Sequence, residues 1–359
     1  MRLDEIDKNV KVTDVNKSDI KLYSVREEPF EIYGLYNPKE KGDFKRMPED
    51  VAKSASKNVE IINHMTSGAR VRFKTDSEYV MLKAVLPSLW LVDCMPITSS
   101  SGFDMYVDGE FKSKFGIKVS DAGKAGAKFE IDGGYESIIE FGEKKMRDII
   151  INFPLYNAVS DVYIGLEEDA KLEKGNKYKH DLPVVFYGSS ITTGGFASRP
   201  GNSYPAVISK RLDTDFLNLG FPGSALAEKA LAEHIADIPM SVFVFDYDCN
   251  APSPEFLEKT HQAFYKIVRE KNPDLPIIFA SYIGLSWSEE ELAKRIEIIK
   301  KTYEDAKNSG DENVYFINGQ EILKSYDKDM FTVDGTHPND FGFFCMAESF
   351  QKVIEPLLK

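Results

Sequence analysis

The residues that could do chemistry stand just past short apolar runs. Two adjacent serines, Ser189 and Ser190, follow "VVFYG" (Val184–Gly188). "FLNLG" (Phe216–Gly220) continues into "FPGSA", with Gly223 in the turn. "SVFVFDYD" (Ser241–Asp248) runs into "CNAP", with Asn250, and "VDGTHPND" beyond "VYFING" (Val314–Gly319) carries Asp334 and His337. A serine hydroxyl is a poor nucleophile until a base takes its proton. An imidazole near its natural pKa can take it at neutral pH. A carboxylate slightly earlier in a tight loop can hold the other ring nitrogen and fix its tautomer. The oxyanion that develops on an attacked carbonyl needs preplaced donors, and backbone N–H groups in glycine turns plus a carboxamide supply them. Together these are the parts for acyl transfer. Two other uses of "SSITTGG" compete, a tight turn and a phosphate cradle. The cradle leaves Asp334, His337 and Asn250 without a task and lacks the lysine of a P-loop.

Positioning these groups on one edge requires a parallel sheet. From Val184 onward short apolar runs alternate with helical stretches, among them "PEFLEKTHQAFYKIVREK" (Pro254–Lys271) and "SEEELAKRIEIIKKTYEDAKNSG" (Ser288–Gly310). Strand and helix in alternation predict a parallel sheet covered on both faces, and such sheets bind ligands at the carboxyl ends of their strands. The first half has another rhythm. "RVRFKTD" (Arg70–Asp76), "YVMLKAVL" (Tyr79–Leu86), "AKFEI" (Ala127–Ile131), "SIIEF" (Ser137–Phe141) and "RDIIINF" (Arg147–Phe153) alternate with period two. "VDGE" and "DGGY" punctuate them as turns, and only "PEDVAKSASKN" (Pro48–Asn58) looks helical. This predicts a β-sandwich over residues 1–168, a charged linker over 169–182 and an α/β domain over 183–359.

Bulk properties exclude several classes. With 45 basic and 58 acidic residues the net charge is −13, the wrong sign for nucleic acid or an anionic membrane. No apolar run is long enough to span a bilayer, and "MRLDEIDKNVKVTD" lacks the apolar centre of a signal peptide. Cys94, Cys249 and Cys345 form neither a disulfide framework nor a metal spacing. The expectation is a cytoplasmic chain with free thiols.

Taken in order, the four blocks "GSSIT", "NLGFPGS", "CNAP" and "DGTHPN" resemble those of the SGNH (GDSL-type) hydrolase family. That resemblance implies a three-layer α/β/α, flavodoxin-like fold with five parallel strands. It implies Ser190 as nucleophile, His337 as base and Asp334 as its partner. The Ser190 N–H, the Gly223 N–H and the Asn250 side chain would form the oxyanion hole, with no cofactor and no metal. Two departures stand out. Ser189 replaces the usual Asp, and Asp248 stands where the third block usually has Gly, so Asp248 should point away from the oxyanion or be paired. "SGFDMYVDGEF" resembles the GxDLY motif of a β-sandwich, jelly-roll-like domain that precedes some of these hydrolases, with Met105 for Leu. "NFPLYNAVSDVYIGL" and "GGFASRPGNSYP" also look typical of that subgroup. Relatives of this layout include carbohydrate acetylesterases.

The function expected is therefore a serine esterase removing a short acyl group, acetyl foremost, from a carbohydrate. The alternatives are a lipase or thioesterase with a longer acyl chain, and a non-catalytic flavodoxin-like phosphate- or glycan-binding protein. The partner is a small-molecule or oligosaccharide ester, and the sequence is compatible with a homo-oligomer. Arg199 and Trp287 are candidate substrate contacts; the alternatives are a loop-bracing ion pair for Arg199 and a packed helix start for Trp287. Ser198, Asn202 and Tyr204 could add polar contacts in the same loop. Gly102 and Asp104 are expected to shape a turn, and His64, His180, His234 and His261 to lie on the surface or in the linker.

Overall fold

The computed structural model describes residues 15–120, 125–324 and 326–358. The N-terminal stretch "MRLDEIDKNVKVTD" therefore lies outside the described residues. The first twelve strands are β1 (Ile20–Ser24), β2 (Glu31–Tyr33), β3 (Arg70–Thr75), β4 (Tyr79–Val85), β5 (Asp104–Val107), β6 (Glu110–Lys114), β7 (Lys118–Ser120), β8 (Lys128–Glu130), β9 (Tyr135–Glu140), β10 (Arg147–Asn152), β11 (Asp161–Glu167) and β12 (Leu172–Lys174). They form a four-stranded sheet in the order β1-β11-β4-β9 and a larger one in the order β12-β3-β10-β5-β6, with β2 also on β3. β7 and β8 pair separately. The period-two pattern explains the sandwich. On β10 Arg147, Ile149 and Ile151 are buried and alternate with less buried Asp148, Ile150 and Asn152. Ile149 and Ile151 meet Val71, Phe73, Val80, Leu82 and Ile164 in one core. The turn between β5 and β6 has positive φ at both Asp108 and Gly109, the two-residue hairpin turn that matches strand twist. The helical stretch expected near residue 50 is two helices, Glu49–Ala55 and Lys57–Ile62.

One boundary is corrected. The stretch 169–182 is not all linker, because β12 adds antiparallel to β3 with Leu172 opposite Thr75. An edge strand rich in Lys and Glu reads as a charged connector because its side chains face water.

The second half holds β13 (His180–Gly188), β14 (Thr214–Gly220), β15 (Val242–Asp246), β16 (Ile277–Ala280) and β17 (Val314–Ile317). All are parallel, in the order β14-β13-β15-β16-β17. β15 and β16 are buried throughout, as strands covered on both faces must be. Helices Tyr204–Leu212 and Asp340–Ile354 pack together, as do Lys229–Asp237, Pro254–Lys271 and Glu289–Asn308 in series. The chain leaves β13 for β14 on one side and later returns to β15 on the other. The crevice at that reversal is where this topology binds ligands. No helix among the described residues is long and apolar enough to cross a membrane.

The two halves interlock. Arg46 is buried and donates to the carbonyls of Asn218 (2.9 Å) and Gly220 (2.6 Å) at the end of β14, and to Ile62 O at 2.9 Å. Burial lowers its pKa to about 9. Arg70 pairs with Asp215 and donates to Phe216 O at 3.3 Å. Ser67 Oγ donates to Thr193 O, 2.6 Å away, in the turn that follows β13.

Candidate active site

Ser189 and Ser190 separate at the end of β13. A Cβ at Gly188 would lie 2.1 Å from both Asp246 O and Thr192 Oγ1, so only glycine lets the chain turn there. Ser189 then caps a one-turn helix, Ser190–Thr193, its Oγ accepting from Ile191 N at 3.1 Å. Ser189 is thus an N-cap where the resemblance expected Asp, and caps of either type accept the same bond. Ser190 begins the helix with 7% of its surface exposed. Its Oγ lies 2.9 Å from His337 Nε2.

His337 is held by its own loop. Asp334 Oδ2 is 2.7 Å from His337 Nδ1, and Asp334 Oδ1 accepts the backbone N–H groups of His337 (2.7 Å) and Thr336 (2.9 Å). Val333 N closes the loop on His337 O at 2.9 Å. Partial burial works against the Asp334 charge, but the bonds from His337 and Thr336 outweigh it and hold the carboxyl below its ordinary value. The geometry assigns Nδ1–H to Asp334 and leaves Nε2 to accept from Ser190.

The other strand ends supply donors. Gly223 sits at φ 62°, a conformation glycine adopts without strain, in the turn after β14. Asn250 Oδ1 accepts from Ala225 N at 3.3 Å, which turns its NH₂ away from that contact. Neither the Ser190 nor the Gly223 N–H meets a protein acceptor among the described residues. Asp248 points elsewhere. Its Oδ2 accepts from Tyr282 N at 3.0 Å, and its backbone carbonyl accepts from Arg295 at 2.9 Å. Burial above all lifts the Asp248 carboxyl to about 7.

Of the alternatives open for Arg199 and Trp287, the contacts are those of a loop-bracing ion pair and a packed ring. Arg199 Nη1 donates to Asp104 Oδ2 (2.8 Å) and Tyr106 Oη (2.6 Å), and its guanidinium lies 3.9 Å from the centre of the Phe111 ring. Trp287 packs on Tyr282, ring centres 4.3 Å apart, with Arg295 over its face at 4.1 Å. The polar loop is likewise spent. Ser198 N and Asn202 Nδ2 donate to the Asp340 carboxylate at 2.8 and 2.9 Å, and Tyr204 donates to Asp246 at 3.0 Å. His261 is buried, not on the surface. It stacks on Phe245 at 4.6 Å, and burial holds its pKa down to about 3. His180 begins β13.

Further groups have roles that the sequence does not give, and Asp104, expected to shape a turn, begins β5. Asp104 of the GxDLY-like motif is fully buried and accepts from Arg199, from Gly201 N (2.9 Å) and from Asn152 Nδ2 (2.8 Å), gripping the loop after the nucleophile. The Tyr156 hydroxyl faces the Ser190 side chain, and a Cβ on Gly195 would lie 2.6 Å from it. Phe196 holds a strained φ of 73° and sets its ring edge-on to His337 at 4.3 Å. Leu89, Trp90 and Leu91 are exposed, Leu91 by 63%, in a loop tied to Asn157. Met330 (59% exposed) and Val333 precede Asp334 in the loop that carries the base.

Comparison with known proteins agrees with this architecture. Residues 181–355 match the GDSL-like lipase/acylhydrolase family, and residues 20–172 match the GxDLY domain, the N-terminus of SGNH-hydrolase-type esterases. No curated protein matches the sequence. A Bacteroides ovatus chain described as a GDSL-like lipase superposes with TM-score 0.81 at 28% identity, over 95% of this chain and 99% of that one. The salicylyl-acyltransferase SsfX3 of a tetracycline biosynthetic pathway superposes with TM-score 0.77 at 21% identity, covering 95% and 98%. An acetyl xylan esterase from the rumen bacterium Butyrivibrio proteoclasticus gives 0.58 at 13% identity, covering 94% and 98%. The blocks at the strand ends and both matched regions place this chain in the GDSL-like lipase/acylhydrolase family, in the branch that carries a GxDLY domain in front.

Proposed function

We propose that the chain is a serine esterase that removes a short acyl group, acetyl foremost, from a carbohydrate. The observation that carries the reading is the hydrogen-bonded line Ser190 Oγ, His337 Nε2, His337 Nδ1, Asp334 Oδ2, with steps of 2.9 and 2.7 Å. His337 takes the Ser190 proton as Oγ attacks the ester carbonyl. The oxyanion is received by the Ser190 and Gly223 N–H groups and the Asn250 amide, donors fixed before charge develops. His337 then protonates the departing alcohol, leaving acyl-Ser190. Water, deprotonated by His337, releases the carboxylic acid and restores the hydroxyl. Asp334 holds the ring and balances its charge.

A short acyl group is supported by the rings around the nucleophile. Buried Phe196 sits edge-on to His337, the Tyr156 hydroxyl faces Ser190, and buried Phe221 stands two residues before Gly223. The carbohydrate esterase among the structural relatives adds support for a carbohydrate as the alcohol.

A second reading is favoured by exposed Met330 and Val333 in the loop that carries His337, which suit a longer acyl chain. One series separates the two: acetate to octanoate esters of one alcohol, with acetylated oligosaccharides alongside. The proposal expects kcat/KM to fall steadily with chain length. A buried CH₂ is worth about 0.8 kcal/mol, so a rise up to octanoate would transfer support to the lipase or thioesterase reading.

A further inference from the structure

A second cavity, of about 400 Å³, lies between the two halves, and none of Ser190, Gly223, Asn250, Asp334 or His337 lines it. That volume is within the ~300–1,000 Å³ range of small-molecule sites. Its floor holds Arg72, 4% exposed, whose Nε and Nη1 have no hydrogen-bond partner. The nearest carboxylate to Nη1 is Asp213 Oδ1 at 4.0 Å, beyond hydrogen bonding, while Nη2 reaches Asp148 at 3.4 Å. Both nitrogens are enclosed, with the Tyr178 ring 4.4 Å from the guanidinium centre, so Arg72 contributes charge to the cavity wall beside Asp148 and Asp213.

Charge decides what the occupant is. The lining cations Arg70, Arg72 and Lys210 are matched by Asp108, Asp148 and Asp213, and Arg70 is further neutralised by Asp215. An anion would meet no net positive potential. A cation would meet the like charges of Arg70, Arg72 and Lys210. Donors and carboxylate acceptors instead surround a patch of Ile150, Phe216 and the Tyr106 ring. Alternating polar groups around an apolar face are complementary to a neutral polyol, whose hydroxyls both donate and accept while its ring C–H face is apolar.

We propose that this cavity is a binding site for a neutral saccharide, separate from the catalytic mouth and bridging the sandwich and the α/β domain. It shares Gly201 and Tyr106 with the Asp104 clamp, so an occupant would brace the loop that follows the nucleophile. The inference rests on the cavity alone and is read by binding, independently of ester hydrolysis.

The test uses the full chain carrying Ser190→Ala, titrated calorimetrically with xylose, glucose, galactose, xylobiose and cellobiose, and separately with acetate and inorganic phosphate. We expect at least one neutral sugar to bind with a millimolar or tighter Kd. Ala206→Phe, which fills the cavity from the half-exposed face of a helix, and Asp213→Asn, which keeps the backbone shape, should each weaken it about 10-fold or more. Three outcomes would overturn the proposal: no sugar binding up to about 50 mM; equal binding in Ala206→Phe, which places the sugar at the catalytic mouth; or phosphate or acetate binding that Ala206→Phe abolishes, which makes it an anion site.

Discussion

Replacing Asp104 by Ala removes the carboxylate that joins the two halves, and the structure sets the size of the effect. Asp104 is fully buried and accepts from Arg199, Gly201 N and Asn152. Breaking a buried ion pair costs about 3–5 kcal/mol, because the partner charge stays behind. Arg199 keeps the Tyr106 hydroxyl and the Phe111 ring, so the lower part of that range applies, about 3–4 kcal/mol. At about 2–4 °C per kcal/mol for a domain of this size, Tm should fall by about 6–16 °C. Arg199→Ala should cost less, since Asp104 retains Gly201 N and Asn152 and can hydrate. The double variant should then reveal a coupling of about 1.5–3 kcal/mol. Assayed well below Tm, Asp104→Ala should lower kcat more than it raises KM, because the loop it holds sets Phe196 against His337. A Tm within about 2 °C of the parent chain, or strictly additive effects of the two substitutions, would refute the clamp.

Ser190→Ala and His337→Ala should each lower ester hydrolysis by about 10³-fold or more in folded protein, since nucleophile and base act as a unit. Ser189→Ala should be far milder, and comparable losses at both serines would contradict the assignment. Tyr156→Phe removes the hydroxyl that faces Ser190; a loss of about 10-fold in kcat/KM with unchanged Tm is expected, and no loss would leave the tyrosine a packing residue. Burial first, and the Asp248 charge second, raises the Asp246 carboxyl to about 8. A folded pKa above the unfolded one favours the protonated form, so this group's contribution is complete below about pH 4 and is lost as pH rises toward 8. Asp246→Asn keeps an acceptor for Tyr204 and Thr192, so its Tm advantage over the parent should widen from pH 5 to pH 8. A gap that stays flat across that range would show Asp246 to be ionised throughout.

The strand-end residues were readable because a parallel sheet collects its carboxyl ends on one edge, whatever the spacing along the chain. Asp334 and His337 needed no long-range information, since one loop of residues 332–338 closes on itself. Ser198 and Asn202 read as free, and Arg199 stays open between substrate and a loop-bracing pair, because their partners lie far away in sequence, at Asp340 and Asp104. Polarity alone does not distinguish a side chain that meets substrate from one that staples a loop. His261 was misplaced for another reason. It falls on the buried stripe of its helix with Leu257, Phe264 and Val268, a signal visible in the spacing and overridden by residue type. Tyr156 and Phe196 act across the domain boundary or through a strained backbone, and neither leaves a pattern in local composition.

Arg46 gives the interface a meaning for how such chains can diverge. Its guanidinium leaves the sandwich half and rests on carbonyls at the end of β14, beside the Phe221 ring and the turn that holds Gly223. Those carbonyls belong to a backbone that any α/β domain of this topology would present, whereas the cation belongs only to the partner in front. A recombination event that exchanged the leading half would leave an uncovered strand end on one product and an orphaned buried charge on the other. A new leading half would therefore have to bring its own donor for the Asn218 and Gly220 carbonyls.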